Sequence, residues 1–352
     1  VGGTGTALPP HRYTQQDLAE LATEVLPGLA TERDTLIRLF ARVGVKHRHL
    51  ALPATAYATL KGLEARNAAW LDVAIPLAIE SLGEALNDAG LQPADVDALF
   101  TTTVTGVAVP SLDARLMNRL PFRTDLKRVP LFGLGCVAGA AGTARAAEYL
   151  RAFPDHVAVL LSVELCSLTV QPTDDSVANI ISSGLFGDGA AATVLVGAEH
   201  PAARTIGCGP AVIDSASRFF PDTERAMGWD VVDDGFKIVL SAGVPALARE
   251  GLPPLVDELL ARHGLTRADV SHWVAHPGGP AVVAAMSKGL DLPDDALVPT
   301  VRSLADVGNL SSASVLFLLD DFRRRIRPQP DEYGLMLAMG PAFCAEAVLL
   351  QW

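Results

Sequence analysis

The sequence predicts an α/β protein made of one unit that occurs twice. Residues 89–102, AGLQPADVDALFTT, are echoed by residues 263–276, HGLTRADVSHWVAH: Gly90, Leu91, Ala94, Asp95 and Val96 return as Gly264, Leu265, Ala268, Asp269 and Val270. Each copy follows an amphipathic helix pattern and precedes an apolar run, so the order of elements repeats along with the residues. In addition, 49% of the 352 residues are hydrophobic, enough for two core-sized units with mostly buried sheets.

The elements follow in order. Helical periodicity over roughly 70–88 stops at Gly90-Leu91, a turn follows, and a short apolar strand runs to about residue 102. A further apolar run breaks at Gly133 and Gly135, and a small-residue helix is predicted over 136–151 with Cys136 in its first turn. The longest apolar stretch, VAVLLSVELCSLTV (157–170), is interrupted by Glu164, so no membrane span is expected. FGDGAAATVLV (186–196) reads as a turn and a strand that close the first half. The second half repeats the plan with a helix over roughly 244–262, the Gly-Leu stop, a strand into WVAHPGGP (273–280), a helix opening at Asn309 and a closing MGPAFCAEAVLL (339–350). The predicted halves are 1–203, carrying Cys136, and 204–352, carrying His276 and Asn309.

A formal net charge of −12 argues against a nucleic-acid surface, which needs a dominant basic face. The four cysteines, 136, 166, 208 and 344, have neither C-x-x-C pairing nor the density of a disulfide scaffold. They are read as reduced, no metal is expected, and the opening VGGTGTALPPHRYT lacks a signal pattern, so a cytoplasmic protein is expected.

Three residues carry the chemical reading. A thiol is a poor helix cap, so Cys136 at a helix start asks for another explanation. There the backbone dipole and free N–H groups would lower its pKa, and Gly133, Gly135 and Gly139 would clear space around the sulfur. His276 stands at a strand end and Asn309 at a helix start. Taken singly they could be a buried apolar thiol, a turn residue and an N-cap. Together they supply a nucleophile, a proton acceptor that also donates, and a neutral amide donor. Arg38, Arg42, Lys46 and Arg48 form either a solvated face or a landing site for phosphates, and RRRIR (323–327) offsets a helix dipole. LFGDGAAA (185–192) lacks the lysine of a P-loop, so no nucleotide is expected there.

With GLGCVAGAAG, QPTDD (171–175), LFGDGAAA, HPGGP and GNLSSASVLF in this order, the chain resembles the type III polyketide synthases, the chalcone-synthase-like branch of the thiolase superfamily. Among these it looks most like bacterial alkylresorcinol and alkylpyrone synthases. The resemblance implies a duplicated thiolase-like αβαβα layered fold and a homodimer in which Val109 reaches the partner's cavity. It implies that Cys136 takes an acyl group from CoA while His276 and Asn309 stabilise the enolate left when malonyl-CoA loses carbon dioxide. Acyl-CoA and malonyl-CoA would be the only small-molecule partners, with no cofactor. Phe186 matches the gatekeeper, and Arg42, Lys46 and Arg48 fall near CoA phosphate contacts. Val109, Cys166, Thr169, Ser182, Trp229, Phe236, Ile238, Ser311 and Met339 match pocket positions. The small side chains of Cys166, Thr169 and Ser182 suggest a tunnel for a fatty acyl starter, and hence an alkylresorcinol or alkylpyrone product. The alternatives are a ketoacyl-ACP synthase of the third type, a cysteine hydrolase and a non-catalytic acyl-CoA-binding relative. HPGGP speaks against the first, the missing C-G-S-C-W signature against the second, and the retained Cys, His and Asn against the third.

Overall fold

A computed structural model of the chain describes residues 1–25, 33–204 and 209–352. The first half contains strands β1 (Gly3–Ala7), β2 (His11–Thr14), β3 (His47–Leu50), β4 (Ala98–Thr103), β5 (Lys127–Phe132), β6 (Val157–Leu165) and β7 (Asp188–Val196). Its helices are α1 (Gln15–Val25), α2 (Arg33–Arg42), α3 (Gly62–Ala89), α4 (Leu112–Met117), α5 (Ala138–Ala152) and α6 (Val177–Leu185). The second half contains β8 (Ala211–Phe219), β9 (Met227–Val232), β10 (Gly235–Leu240), β11 (Val270–Ala275), β12 (Tyr333–Gly340) and β13 (Cys344–Gln351). Its helices are α7 (Val244–Ala261), α8 (Pro280–Leu290), α9 (Val298–Val307) and α10 (Ser314–Asp321).

The sequence echo is a structural one. Gly90 and Gly264 both adopt φ of +67°, the left-handed conformation that ends a helix at little cost only in glycine. Around them the hydrogen bonds repeat, with Leu91 N donating to Leu86 O and Leu265 N to Leu260 O, at 2.9 and 3.0 Å. The following turns are short 3₁₀ segments, Pro93–Asp95 and Arg267–Asp269. In each the aspartate caps the segment by accepting from a backbone N–H, of Gln92 or of Thr266, at 2.8 Å.

The two main sheets follow one plan. The first has the order β1-β7-β6-β4-β5 and the second, read in the same sense, β8-β13-β12-β11. In both, the strand after the echoed turn runs parallel to its neighbour, β4 to β6 and β11 to β12, and the rest of the matching pairs are antiparallel. Among the described residues the second sheet has no counterpart of β5.

Alternating strand residues face different layers, as a pleat of period two requires. On β6, Val159, Leu161 and Val163 pack outward with Trp70, Leu82 and Leu86 of α3, while Ala158 and Leu160 face α5 and α10. On β12, Leu335 and Leu337 pack outward with Leu252 and Leu259 of α7, while Met336 and Ala338 face the same central helices. The central layer is close-packed. A Cβ on Gly139 of α5 would lie 2.3 Å from Ser312 O and 2.5 Å from Val315 Cγ2. That glycine therefore brings α5 against α10, whereas sequence reasoning gave it the task of clearing space at the sulfur. RRRIR is also more than a dipole partner: Arg323 and Arg324 donate to Thr4 Oγ1 and Thr4 O at 2.8 Å, tying the segment after α10 to β1.

Candidate active site

Cys136 and Asn309 occupy equivalent places in the two halves. Cys136 lies in a 3₁₀ turn, Gly135–Val137, that leads into α5, so the predicted helix starts two residues later than expected. Asn309 precedes the matching turn Ser311–Ala313 that leads into α10. Gly135 has φ of +56°, and a Cβ there would lie 2.6 Å from Pro341 Cδ, so only glycine fits between the nucleophile's turn and the turn that closes the second sheet. His276 continues β11 by one residue, its N–H donating to Leu337 O at 2.8 Å. Strand ends and helix starts of both halves thus converge on one place.

The side chains are held in distinct ways. Asn309 Oδ1 accepts from Ser311 N at 2.8 Å and from Ser314 Oγ at 3.5 Å, which leaves Nδ2 as the free, donating end. Cys136 Sγ donates to Ser311 Oγ at 3.5 Å. His276 Nδ1 is buried with no hydrogen-bond partner among the described residues. An imidazolium would need acceptors for both ring N–H groups, so this orphaned nitrogen favours the neutral ring.

The electrostatics correct one expectation. Sequence reasoning gave Cys136 a lowered pKa, but burial pushes the thiol up to about 12. The bond to Ser311 opposes the shift and the charge of Glu164 adds to it. Cys136 keeps some accessible surface because it faces a cavity, but protein surrounds that cavity and the desolvation cost dominates. Burial likewise pushes His276 down to about 3. At rest the pair is a neutral thiol and a neutral imidazole.

Cys136, His276, Asn309 and Ser311 line one cavity of about 590 Å³, within the usual range of roughly 300–1,000 Å³ for small-molecule sites. Phe186, Trp229, Ile238 and Met339, which the resemblance placed at the gate and in the pocket, line it too, as does Arg42, which it placed near CoA phosphates. The Phe186 and Trp229 rings are neighbours on its wall, with centroids 6.4 Å apart. Other predicted residues lie elsewhere. Cys166 and Thr169 are buried behind the wall, where Thr169 Oγ1 donates to Cys166 O at 2.8 Å. Ser182 is buried and donates to Asn179 O at 3.0 Å, and Phe236 is buried beside Gln171. Val109 is 94% exposed and outside the cavity of its own chain. Lys46 is exposed and does not line the cavity. Arg48, expected at CoA phosphates, is 4% exposed and donates to Phe186 O and Gln15 Oε1. The lining residues that sequence reasoning missed include Ile181 and Leu185 of α6, Val282 of α8 and Leu240, which extends the wall begun by Trp229 and Ile238 on the β9–β10 hairpin. Cys208 lies outside the described residues.

A second feature was legible only as an interruption. Glu164 is fully buried in β6 and accepts from Val104 N at 3.1 Å, Thr105 Oγ1 at 2.9 Å and Ser312 Oγ. Burial raises its pKa to about 7. The signal was present, since a lone carboxylate in a run buried on both faces must find several donors. Among the described residues no group of three or more His, Cys, Asp or Glu could hold a metal ion, and no helix is long and apolar enough to cross a membrane.

Comparison with known proteins matches residues 2–200 to the N-terminal domain of chalcone and stilbene synthases and residues 211–352 to their C-terminal domain. A 1,3,6,8-tetrahydroxynaphthalene synthase of Streptomyces peucetius subsp. caesius is 52% identical over 352 residues, covering 100% of this chain and 93% of the relative. A phloroglucinol synthase of Pseudomonas fluorescens is 29% identical over 349 residues, 98% of this chain and 96% of the relative. The crystal structure of 1,3,6,8-tetrahydroxynaphthalene synthase from Streptomyces coelicolor A3(2), described as a bacterial type III polyketide synthase, superposes with a TM-score of 0.92 at 31% identity. The match covers 99% of this chain and 98% of that one.

Proposed function

This chain belongs to the chalcone and stilbene synthase family and is a type III polyketide synthase, a decarboxylative condensing acyltransferase; from that premise we propose which residues perform each step and which starter it uses. Such enzymes act on CoA thioesters and need no further cofactor. Cys136 Sγ attacks the thioester carbonyl of the starter, its proton passes to His276, and CoA leaves as the thiol after taking that proton. Malonyl-CoA then loses carbon dioxide. The electron pair of the broken C–C bond moves into an enolate, whose oxygen receives hydrogen bonds from Asn309 Nδ2 and from neutral His276 in the tautomer that carries its proton on Nε2, the alternative to the Nδ1–H tautomer whose free Nε2 accepts the Cys136 proton during loading. The enolate carbon attacks the acyl-Cys136 carbonyl, the C–S bond breaks, and the thiolate is ready for the next round.

One observation carries these roles: a thiol, an imidazole held neutral by burial and an amide turned by two donors on its oxygen all face one cavity. A donor that stays neutral suits an enolate oxygen, because it shares its proton in a hydrogen bond without handing it over and quenching the enolate. Asn309→Ala should slow malonyl-CoA decarboxylation by about 10²- to 10³-fold and leave acyl loading of Cys136 intact. Equal loss of both would overturn the division of roles.

The product is a hydroxylated naphthalene, as the name of the 52%-identical relative suggests, and since a naphthalene without a side chain shows no foreign acyl group, the starter is malonyl-CoA itself. A naphthalene oxygenated on alternate positions is the pattern that a linear poly-β-ketone gives on double ring closure. A fatty acyl starter rested on small walls at Cys166, Thr169 and Ser182, which lie outside the cavity wall. Incubation with malonyl-CoA alone, and with a ladder of acyl-CoA starters, separates the two by product mass. A requirement for an acyl-CoA starter would sink the malonyl-primed reading.

The homodimer is part of the same proposal. The free edge of β5 ends at Phe132, 58% exposed, and the loop before α4 presents Val107 and Val109, 43% and 94% exposed. A bare strand edge with apolar side chains beside it invites a second copy. Sedimentation that finds only a monomer at micromolar concentration would remove the claim.

A further inference from the structure

A helix leaves its last carbonyls without partners in its own ladder. At the end of α6 the carbonyls of Gly184, Leu185 and the capping Phe186 are taken by groups from distant segments. Gln15 Nε2 donates to Gly184 O at 2.7 Å, Asn309 N to Leu185 O at 2.9 Å, and Arg48 Nη1 to Phe186 O at 2.7 Å. Arg48 Nε also donates to Gln15 Oε1 at 3.1 Å, so the two side chains brace one another. The link to the site is direct. Phe186 and Asn309 form a parallel bridge, with Gly187 N donating to Asn309 O at 2.9 Å. The stem of Arg48 packs on Gly308, where a Cβ would lie 3.2 Å from Arg48 Cγ.

Arg48 is therefore a buried cation at the negative end of α6, touching the residue before the amide and holding the carbonyl of the gate. Burial lowers its pKa only to about 10, so it stays charged at neutral pH and complements the helix dipole. Among the described residues no carboxylate lies within ion-pair distance of it, although the charge of buried Asp188 is close enough to oppose the fall in the arginine's pKa. The hydrogen bonds of Arg48 go to a backbone carbonyl and a neutral amide rather than to a carboxylate, as a positional role requires.

We propose that Arg48 is a positioning residue for decarboxylation, fixing Phe186 and, through the Phe186–Asn309 bridge, the Asn309 amide in the cavity. This rests on the reading of Asn309 as an enolate donor. A residue that instead met CoA phosphates would act on binding, so the two roles predict different kinetics.

The test compares Arg48→Lys, Arg42→Ala and Asn309→Ala with wild type. It measures kcat and KM for malonyl-CoA decarboxylation and the single-turnover loading of Cys136. Lysine keeps the charge but lacks the rigid fork that reaches both partners. Arg48→Lys should lower kcat about 10- to 100-fold with KM and loading within about threefold of wild type, the scale of a misplacement near 1 Å. Arg42→Ala, altering an exposed cation on the cavity wall, should raise KM and spare kcat. A rise in KM at unchanged kcat for Arg48→Lys, or no change in either, overturns the proposal. If Arg48→Lys does not fold, Gln15→Leu removes the brace and leaves Arg48 in place. It should lower kcat alone, and an unchanged kcat in that folded variant is equally fatal. If Asn309→Ala decarboxylates like wild type, the enolate-donor reading has failed, whatever Arg48 does.

Discussion

Gly139→Ala sets two effects of known size against each other. Gly139 stands in the first turn of α5, where alanine is favoured over glycine by at most the helix-interior value of about 0.5–1 kcal/mol, which alone would stabilise the helix. The new methyl, however, would lie 2.3 Å from Ser312 O and 2.5 Å from Val315 Cγ2. The first neighbour is backbone and cannot rotate away, so α10 must retreat by about 1 Å, and overpacking of this kind costs about 1–3 kcal/mol. The net expectation is a loss on the order of 1 kcal/mol, read as a lower urea midpoint at unchanged slope. Retreat of α10 also carries Ser311 and Asn309 away from Cys136, so decarboxylation kcat should fall about 10- to 100-fold. Gly142→Ala on the same helix is the control. Its methyl would meet the end of the Leu160 side chain at 2.5 Å, which can rotate, so kcat should be retained. A higher midpoint and full activity for Gly139→Ala would refute the claim that this contact sets the spacing of the two catalytic turns.

Alkylation of Cys136 by iodoacetamide should accelerate steadily from about pH 6 upward, because burial raises the thiol pKa; a rate already saturated at about pH 6 would contradict the neutral pair. Glu164 has a folded pKa raised to about 7, so it binds its proton more tightly when folded. Its stabilisation is present below the unfolded value near 4.3 and is lost as pH rises through about 7. Glu164→Gln should therefore gain on wild type by an amount on the order of 3 kcal/mol between those limits, and urea midpoints that keep a constant difference across that range would exclude it. Trp229→Ala opens the cavity beside Phe186 and should admit bulkier starters or give heavier products by mass spectrometry; an unchanged profile would mean that Trp229 does not limit the chamber.

The duplicated plan was legible because turn chemistry is local. Gly90 and Gly264, with Asp95 and Asp269 behind them, specify the same stop and the same cap wherever they stand. The convergence of Cys136, His276 and Asn309 followed from that plan, since equivalent strand ends and helix starts meet in space. What stayed hidden was facing. Arg48 reads as one of four cations in a short stretch, and only packing against Gly308 and Gln15 turns it inward. Cys166 and Thr169 follow a buried strand and could face either side, and Ile181 of α6, which does line the wall, stands outside every motif that the sequence offered. The acidity of Cys136 was misjudged because a helix-start argument contains no measure of how dry the surroundings are.

The central helix α5 touches both sheets, and its residues from Ala138 to Ala144 are buried. While the chain is being synthesised, the first sheet can close once β7 has emerged at residue 196, but α5's other face waits for β13 at 344–351. At about 5–20 residues per second that interval is roughly 7–30 seconds, during which a helix bound for the interior has one side uncovered. Its sequence, AGAAGTARAAEYLRA, makes that wait safer, since alanine and glycine offer a passing chain little apolar area to hold. The small side chains that let two helices close on a cavity in the finished enzyme also keep the unfinished one from sticking.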